Sequence, residues 1–472
     1  MLSLLLFVAQ SLTVTAEKVH LGDGRVLGVA TVRIDKGRIV AVTPGGDPDA
    51  DGAHLTPGLV DAYTFLGVGQ ETVEHSREIT AGHRVADTAR LDGESFLRAA
   101  REGVTTAYIS PDSLNVIGGL GAIVKTYGGR PADLFAESGA AARVLQPAAG
   151  LRVVIGVDAF YDNYTPSGEF TNSSHARRPT TRMGSVWEIR NAFFTAQQYR
   201  AARQGGAKIA DRDLDALVAA LEGHVPVRVL ARKHHDVQTA LRLQKEFGWP
   251  RLILEEATEG YLVKDLLRQS GVAVVTGPAA DLRARSVSSG PTFEQLRFAA
   301  ELKPICCEHL HEDNPYFAHE PLDENYGQIE IPSYLRDLFL LAAPRYGAAA
   351  GFQVGRWQEA DASTPALAAL LAGAGVPLVL GAGEAYDFTH SEAGAIHQAR
   401  TAVRWGLPAE QALPLVTSRA AELLGLGDQV GKLAAGYDGD LVLWSGDPLD
   451  PASRPLLVAV DGRVVLDQRP KD

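Results

Sequence analysis

An alternation running through the middle of the chain restricts the possible folds most. Short, nearly uninterrupted apolar runs recur at residues 59–65, 104–110, 151–157, 225–231, 252–255, 272–276 and 376–381, and stretches with helical spacing lie between them at 93–102, 214–221, 237–247, 261–269 and 364–372. A strand that is apolar on both faces must be covered on both faces, the condition of a parallel sheet wrapped by helices. Repeated over about 330 residues, such units predict an α/β fold of the (β/α)8 TIM-barrel type. An open doubly wound sheet is the alternative, but no Gly-x-Gly-x-x-Gly opens a first helix.

The two ends have another texture. Residues 17–56 and 426–472 carry short alternating strands broken by turns such as Asp23-Gly24 and Asp461-Gly462, the pattern of half-buried strands. They predict one small β-sandwich domain built from both termini, around a barrel spanning 57–425. Residues 1–16 hold a short apolar run and then Val14-Thr15-Ala16. That suits either a signal peptide cleaved after Ala16, with a periplasmic or secreted product, or a buried first strand of a cytoplasmic one.

Composition removes several classes of function. With 57 acidic and 45 basic residues the chain carries a net charge of −12, which phosphate backbones repel, so nucleic acid is not expected as a partner. Cys306 and Cys307 are the only cysteines, which excludes a disulfide scaffold and a Cys-rich zinc site. No later stretch reaches the ~18 apolar residues of a membrane span. Two segments break the rhythm: polar 161–183, read as a loop, and 291–360, read as an insertion with a helical part at 333–342 and the cluster His309-Leu310-His311. That cluster suits solvated histidines better than a metal site, and long loops of this kind commonly cap a site.

On the predicted strands stand Thr56-Pro57-Gly58-Leu59-Val60-Asp61-Ala62, Gly103-Val104-Thr105-Thr106, Asn115-Val116-Ile117-Gly118-Gly119, Thr258-Glu259-Gly260-Tyr261 and a terminal Gly446-Asp447-Pro448-Leu449. In that order they resemble the amidohydrolase superfamily, more narrowly its imidazolonepropionase-like and dipeptidase-like metal-dependent hydrolases. The resemblance implies a metal-bearing barrel with a composite β domain, and a divalent metal, typically zinc, held by histidines at strand ends. At those positions this chain has Tyr63 and Phe65 on the first strand, Leu230 and Arg232 on the fifth and Glu256 on the sixth, with Gly383 where a general-base aspartate follows the eighth. Such a set predicts no metal cofactor: zinc takes three or four N, O or S donors, and a guanidinium repels a cation.

Arg232 and Glu256, at the ends of adjacent strands, are expected to pair in the metal's place, with Tyr63 and Phe65 as the floor. As catalytic residues Glu256, Glu384 and Lys125 are the weak candidates; Asp387 reads as a solvated acid, and Lys125 is expected to pair with an acid. Three functions follow: a pseudoenzyme that has lost metal-dependent hydrolysis, a small-molecule-binding or partner-docking barrel that could form homo-oligomers, or an active hydrolase of non-peptide or cyclic C–N bonds with a non-standard site. Fold alone does not choose among them.

Overall fold

The computed structural model describes residues 11–68, 72, 74, 76–129, 141–160, 163, 178–277, 364–383 and 394–470. The amino-terminal segment supplies β1 (Leu12–Ala16), β2 (Lys18–His20), β3 (Val26–Leu27), β4 (Ala30–Asp35), β5 (Arg38–Pro44) and β6 (His54–Pro57). Next come β7 (Leu59–Thr64), β8 (Val104–Ile109), β9 (Ile117–Gly129), β10 (Ala141–Val154), β11 (Val227–Leu230), β12 (Leu252–Glu255), β13 (Ala273–Thr276) and β14 (Leu378–Leu380); the chain ends with β15 (Leu441–Trp444), β16 (Pro455–Val460) and β17 (Arg463–Asp467).

Both termini build the small β domain. One sheet has the order β1-β4-β5 and the other β17-β16-β15-β6-β2-β3. In β4, Ala30, Val32 and Ile34 are buried while Arg33 between them is exposed, the two-residue period that gives a strand one apolar face. That face packs Val14, Val32 and Ile34 against Leu55, Leu441, Leu443 and Leu457 of the second sheet. The antiparallel pairing of β15 with β6, from Leu441↔Pro57 to Trp444↔His54, joins the two ends of the chain. Residues 12–16, which a cut after Ala16 would remove, form β1 and pair with Ile34 to Ala30 of β4.

The middle forms an eight-stranded sheet in sequential order from β7 to β14. It closes where Gly383, just past β14, donates its N–H to the Tyr63 carbonyl at 2.8 Å and accepts from Phe65 N–H at 3.2 Å. Helices α1 (Glu94–Arg101), α2 (Arg182–Gln204), α3 (Arg212–Leu221), α4 (His234–Phe247), α5 (Lys264–Ser270), α6 (Leu367–Gly373) and α7 (Ala395–Arg404) lie in the connections and beyond β14. Helix α1 shows how they attach: Phe96, Ala99 and Ala100 are its buried residues, a spacing that makes one apolar stripe. No helix among the described residues is long and apolar enough to cross a membrane.

Two features depart from the predicted pattern. Strand β9 is antiparallel to both neighbours, β8 and β10, in a barrel otherwise parallel. Residues 110–116 are all that separate β8 from β9, too few for a parallel crossover, which needs a dozen or more. Helix α2 was not predicted because its apolar residues circle it: Ile189, Phe193 and Ala196 are buried, while Met183, Trp187 and Phe194 face solvent. Most of the polar loop at 161–183 and all of the insertion at 291–360, with Cys306, Cys307, His309, His311 and the helix predicted at 333–342, lie outside the described residues, as do Glu384 and Asp387.

Lys125 is not a mouth residue. It sits within β9 opposite Thr106, towards the amino end of β8, and runs into the terminal domain. Fully buried, its ammonium meets Asp440 at 2.5 Å, Asp438 at 2.9 Å and Asp461 at 3.3 Å. Burial alone would lower its pKa, but the three aspartates overcome that and hold it above the ordinary lysine value. Lys125→Met should destabilise the protein by about 3–5 kcal/mol, since it leaves buried carboxylates without their cation. Urea unfolding would measure this, and adding Asp440→Asn should recover part of the loss.

In the small domain, His20 Nε2 lies 3.2 Å from His54 Nδ1. Burial, and then the charge His54 would carry, lower the pKa of His20 from 6.5 to about 4. Between those values the unfolded chain holds the extra proton, so stability present above pH 6.5 falls as the pH drops towards 4. His20→Gln should flatten the fall, seen as a smaller shift of the urea midpoint between pH 7 and 4 than in the wild type; an unchanged shift would show that the ring carries no such linkage.

Candidate functional site

The carboxyl ends of the strands bring the expected mouth residues together. Arg232 follows β11 and Glu256 follows β12, its parallel neighbour. Arg232 Nε donates to Glu256 Oε2 at 2.5 Å and Nη2 to Oε1 at 3.3 Å, a two-pronged pair. The third prong, Nη1, reaches Asp158, held in the short 3-10 turn Val157–Ala159 after β10. Tyr63 on β7 donates its hydroxyl to Glu256 Oε1 at 3.0 Å. Phe65 meets the Tyr63 ring edge-on at 5.5 Å, and Gly383 contributes the backbone bonds that close the barrel. Leu230, at the end of β11, is buried in an apolar cluster with Val229 and Leu254 and offers no donor atom.

The backbone is bent to present Glu256. Its φ is +65° and that of Ala257 is +43°. Two successive non-glycine residues in the left-handed region cost of order 1–3 kcal/mol each, and surrounding contacts must hold them. The strand ladder continues into this turn, where Glu256 N–H donates to the Val275 carbonyl at 2.8 Å. Beyond it, the Glu259 carboxylate takes His234 N–H at 2.9 Å, His234 Nδ1 at 2.8 Å and Lys233 Nζ at 3.0 Å, tying the loop after β12 to the start of α4. Burial opposes the charge on Glu259, but these bonds prevail and bring its pKa down to about 2.

Below the mouth the barrel interior is charged, where branched aliphatic side chains usually dominate. Arg152 on β10 donates to Tyr63 Oη at 3.1 Å and Ser113 Oγ at 2.8 Å, and its guanidinium also pairs with Glu255 of β12. Arg228 on β11 donates to Glu255 Oε1 at 2.6 Å and to the Ala62 carbonyl at 2.7 Å, and covers the Tyr108 ring at 3.6 Å. Arg152, Arg228 and Glu255 are all fully buried. Two glycines make the space: a Cβ on Gly121 would fall 2.1 Å from Tyr108 Oη, and one on Gly150 would fall 2.4 Å from Arg228 Cδ. Partners therefore run in one series from mouth to interior: Asp158, Arg232, Glu256, Tyr63, Arg152, Glu255, Arg228. Burial pushes the Tyr63 phenol well above its ordinary pKa, so it stays a neutral donor.

Sequence reasoning missed Asp158, Arg152, Arg228, Glu255 and Ser113. The signal available was charge inside apolar strands, as in Val227-Arg228-Val229 and Leu254-Glu255. A divalent metal, which the family resemblance implies at such a mouth, does not fit the donors found. Between the two carboxylates lies a guanidinium, and no three His, Cys, Asp or Glu side chains among the described residues converge as a metal site.

Comparison with known proteins agrees with the fold. The model of the Amidohydrolase family matches residues 361–466. The amidohydrolase tasK of Hapsidospora irregularis is 24% identical over 450 residues, covering 89% of this chain and 37% of that protein, so the chain spans little more than a third of that relative. The crystal structure of an amidohydrolase from Thermotoga maritima MSB8 superposes with a TM-score of 0.69 at 24% identity, covering 96% of this chain and 99% of that one. A Xaa-Pro dipeptidase solved with methionine in its active site gives a TM-score of 0.51 at 17% identity, covering 96% and 99%. With its barrel and composite β domain the chain has the fold of these amidohydrolases, and its residues 361–466 match the Amidohydrolase family.

Proposed function

We propose that this amidohydrolase-superfamily barrel has given up metal-dependent hydrolysis and serves as a small-molecule-binding or structural protein. One observation carries the reading: the Arg232 guanidinium lies between Asp158 and Glu256 at the mouth. Metal-assisted hydrolysis needs a cation that ionises bound water and a carboxylate free to take the proton. Here Glu256 is bonded by Arg232 and Tyr63 together, so its charge is already matched. Tyr63, Phe65, Leu230, Arg232 and Gly383 stand where the family resemblance puts ligands and the general base, and none of them supplies an ionised donor.

A second reading has support of its own. Glu256 is 12% exposed in its side chain, the most open carboxylate of the series, and the compared proteins carry hydrolase names. An active site for non-peptide or cyclic C–N bonds would use Glu256 as its base.

Elemental analysis of the purified full-length protein separates the two, beside a Glu256→Ala variant and turnover assays on small amides, cyclic amides and lactones. Under the favoured reading neither protein holds a stoichiometric transition metal, and neither turns over substrate above background. One equivalent of zinc, manganese or iron in the wild type that is lost in the variant would overturn it. So would turnover that falls at least a hundredfold in the variant, the least a general base contributes at about 10².

A further inference from the structure

Two carboxylates hold the Arg232 guanidinium, and a phenol braces one of them. Asp158 takes one nitrogen, Glu256 takes two, and Tyr63 braces Glu256 from β7. Asp158 is fully buried, and the Arg232 and Glu256 side chains are 6% and 12% exposed. Two carboxylates brought together at a nearly closed mouth repel one another unless a cation stands between them. The left-handed backbone at Glu256 and Ala257 shows that the chain accepts strain to place one of them there.

We infer that Asp158, Glu256 and Tyr63 form a cation site whose resident cation is the chain's own Arg232 guanidinium, and that shortening this side chain leaves a site able to take free guanidinium from solution. The inference rests on the proposed function insofar as both treat the mouth as closed to an external cation in the native protein. Arg232 joins the ends of β10 and β12 through Asp158 and Glu256, and the Tyr63–Glu256 bond adds β7. It therefore cross-links the barrel as a bound ion would, with the cation covalently attached and permanently charged. Asp158 is a positioning residue in this site, fixing the end of the guanidinium that Glu256 does not hold.

The test uses full-length protein with Arg232→Ala. Its Tm should fall by about 4 °C, the loss for breaking a buried ion pair in a chain of this size. Guanidinium chloride, at a concentration too low to move the wild-type Tm, should restore most of that loss, and sodium chloride at equal ionic strength should not. Rescue should vanish in Arg232→Ala with Asp158→Asn and Glu256→Gln, which keeps the cavity and removes its charge. An Arg232→Ala protein as stable as the wild type, or one that guanidinium fails to raise, would overturn the inference.

If Arg232→Ala does not fold, Arg232→Met with Asp158→Asn and Glu256→Gln should fold and melt close to the wild type, because neutralising a buried group whole costs far less than halving it. A triple variant that does not fold, or that melts far below the wild type, would count against a shared site. Metal content of the wild type is read in parallel. Bound metal with full guanidinium rescue defeats the functional reading alone, and no metal with no rescue defeats this inference alone.

Discussion

A guanidinium between two carboxylates sets the character of the barrel mouth. Arg232 meets Glu256 with two nitrogens and Asp158 with the third, so one guanidinium bridges two carboxylates and leaves the trio one negative charge in excess. Removing Arg232 would leave two unpaired carboxylates in a nearly dry site, far more costly than the net worth of the intact cluster. The cluster continues inward through Tyr63 to Arg152, Glu255 and Arg228. Each charge is thus held by an opposite one on another strand. A lattice of this kind adds directional bonds that a purely aliphatic barrel core lacks.

The same arrangement shapes what the site can do. A preorganised catalytic mouth keeps charge in reserve for the transition state, whereas here the charges are spent on one another before any ligand arrives. A ligand entering this mouth meets side chains already bonded to one another, with the Phe65 ring packed on Tyr63. Binding through shape and apolar contact is compatible with that chemistry, and activation of water would require Glu256 to be released from Arg232 and Tyr63. At the other end of the barrel, Lys125 and three aspartates lock β9 against the terminal domain.

Much of the fold was legible in the sequence because strands covered on both faces read as continuous apolar runs. The predicted 252–255 is β12 itself, and the other runs mark their strands to within a few residues, except that 151–157 marks only the end of β10. Strand β9 escaped because Gly118, Gly119 and Gly121 break its apolar run; Gly121 is there to clear the Tyr108 ring, a tertiary demand with no local signature. The Arg232–Glu256 pair was legible since both residues end adjacent parallel strands. Asp158 was not, because it lies in an irregular turn where only the folded chain shows which way a carboxylate points. Lys125 pairs with acids as expected, but which acids was not legible, because Asp438, Asp440 and Asp461 come from the far end of the chain.

Crystals grown with millimolar zinc and manganese, with anomalous data collected at both absorption edges, would examine the mouth most directly. Planar guanidinium density between Asp158 and Glu256 is expected, with no anomalous peak among residues 63, 158, 232 and 256. An anomalous peak at that centre, with the Arg232 side chain swung away, would contradict it.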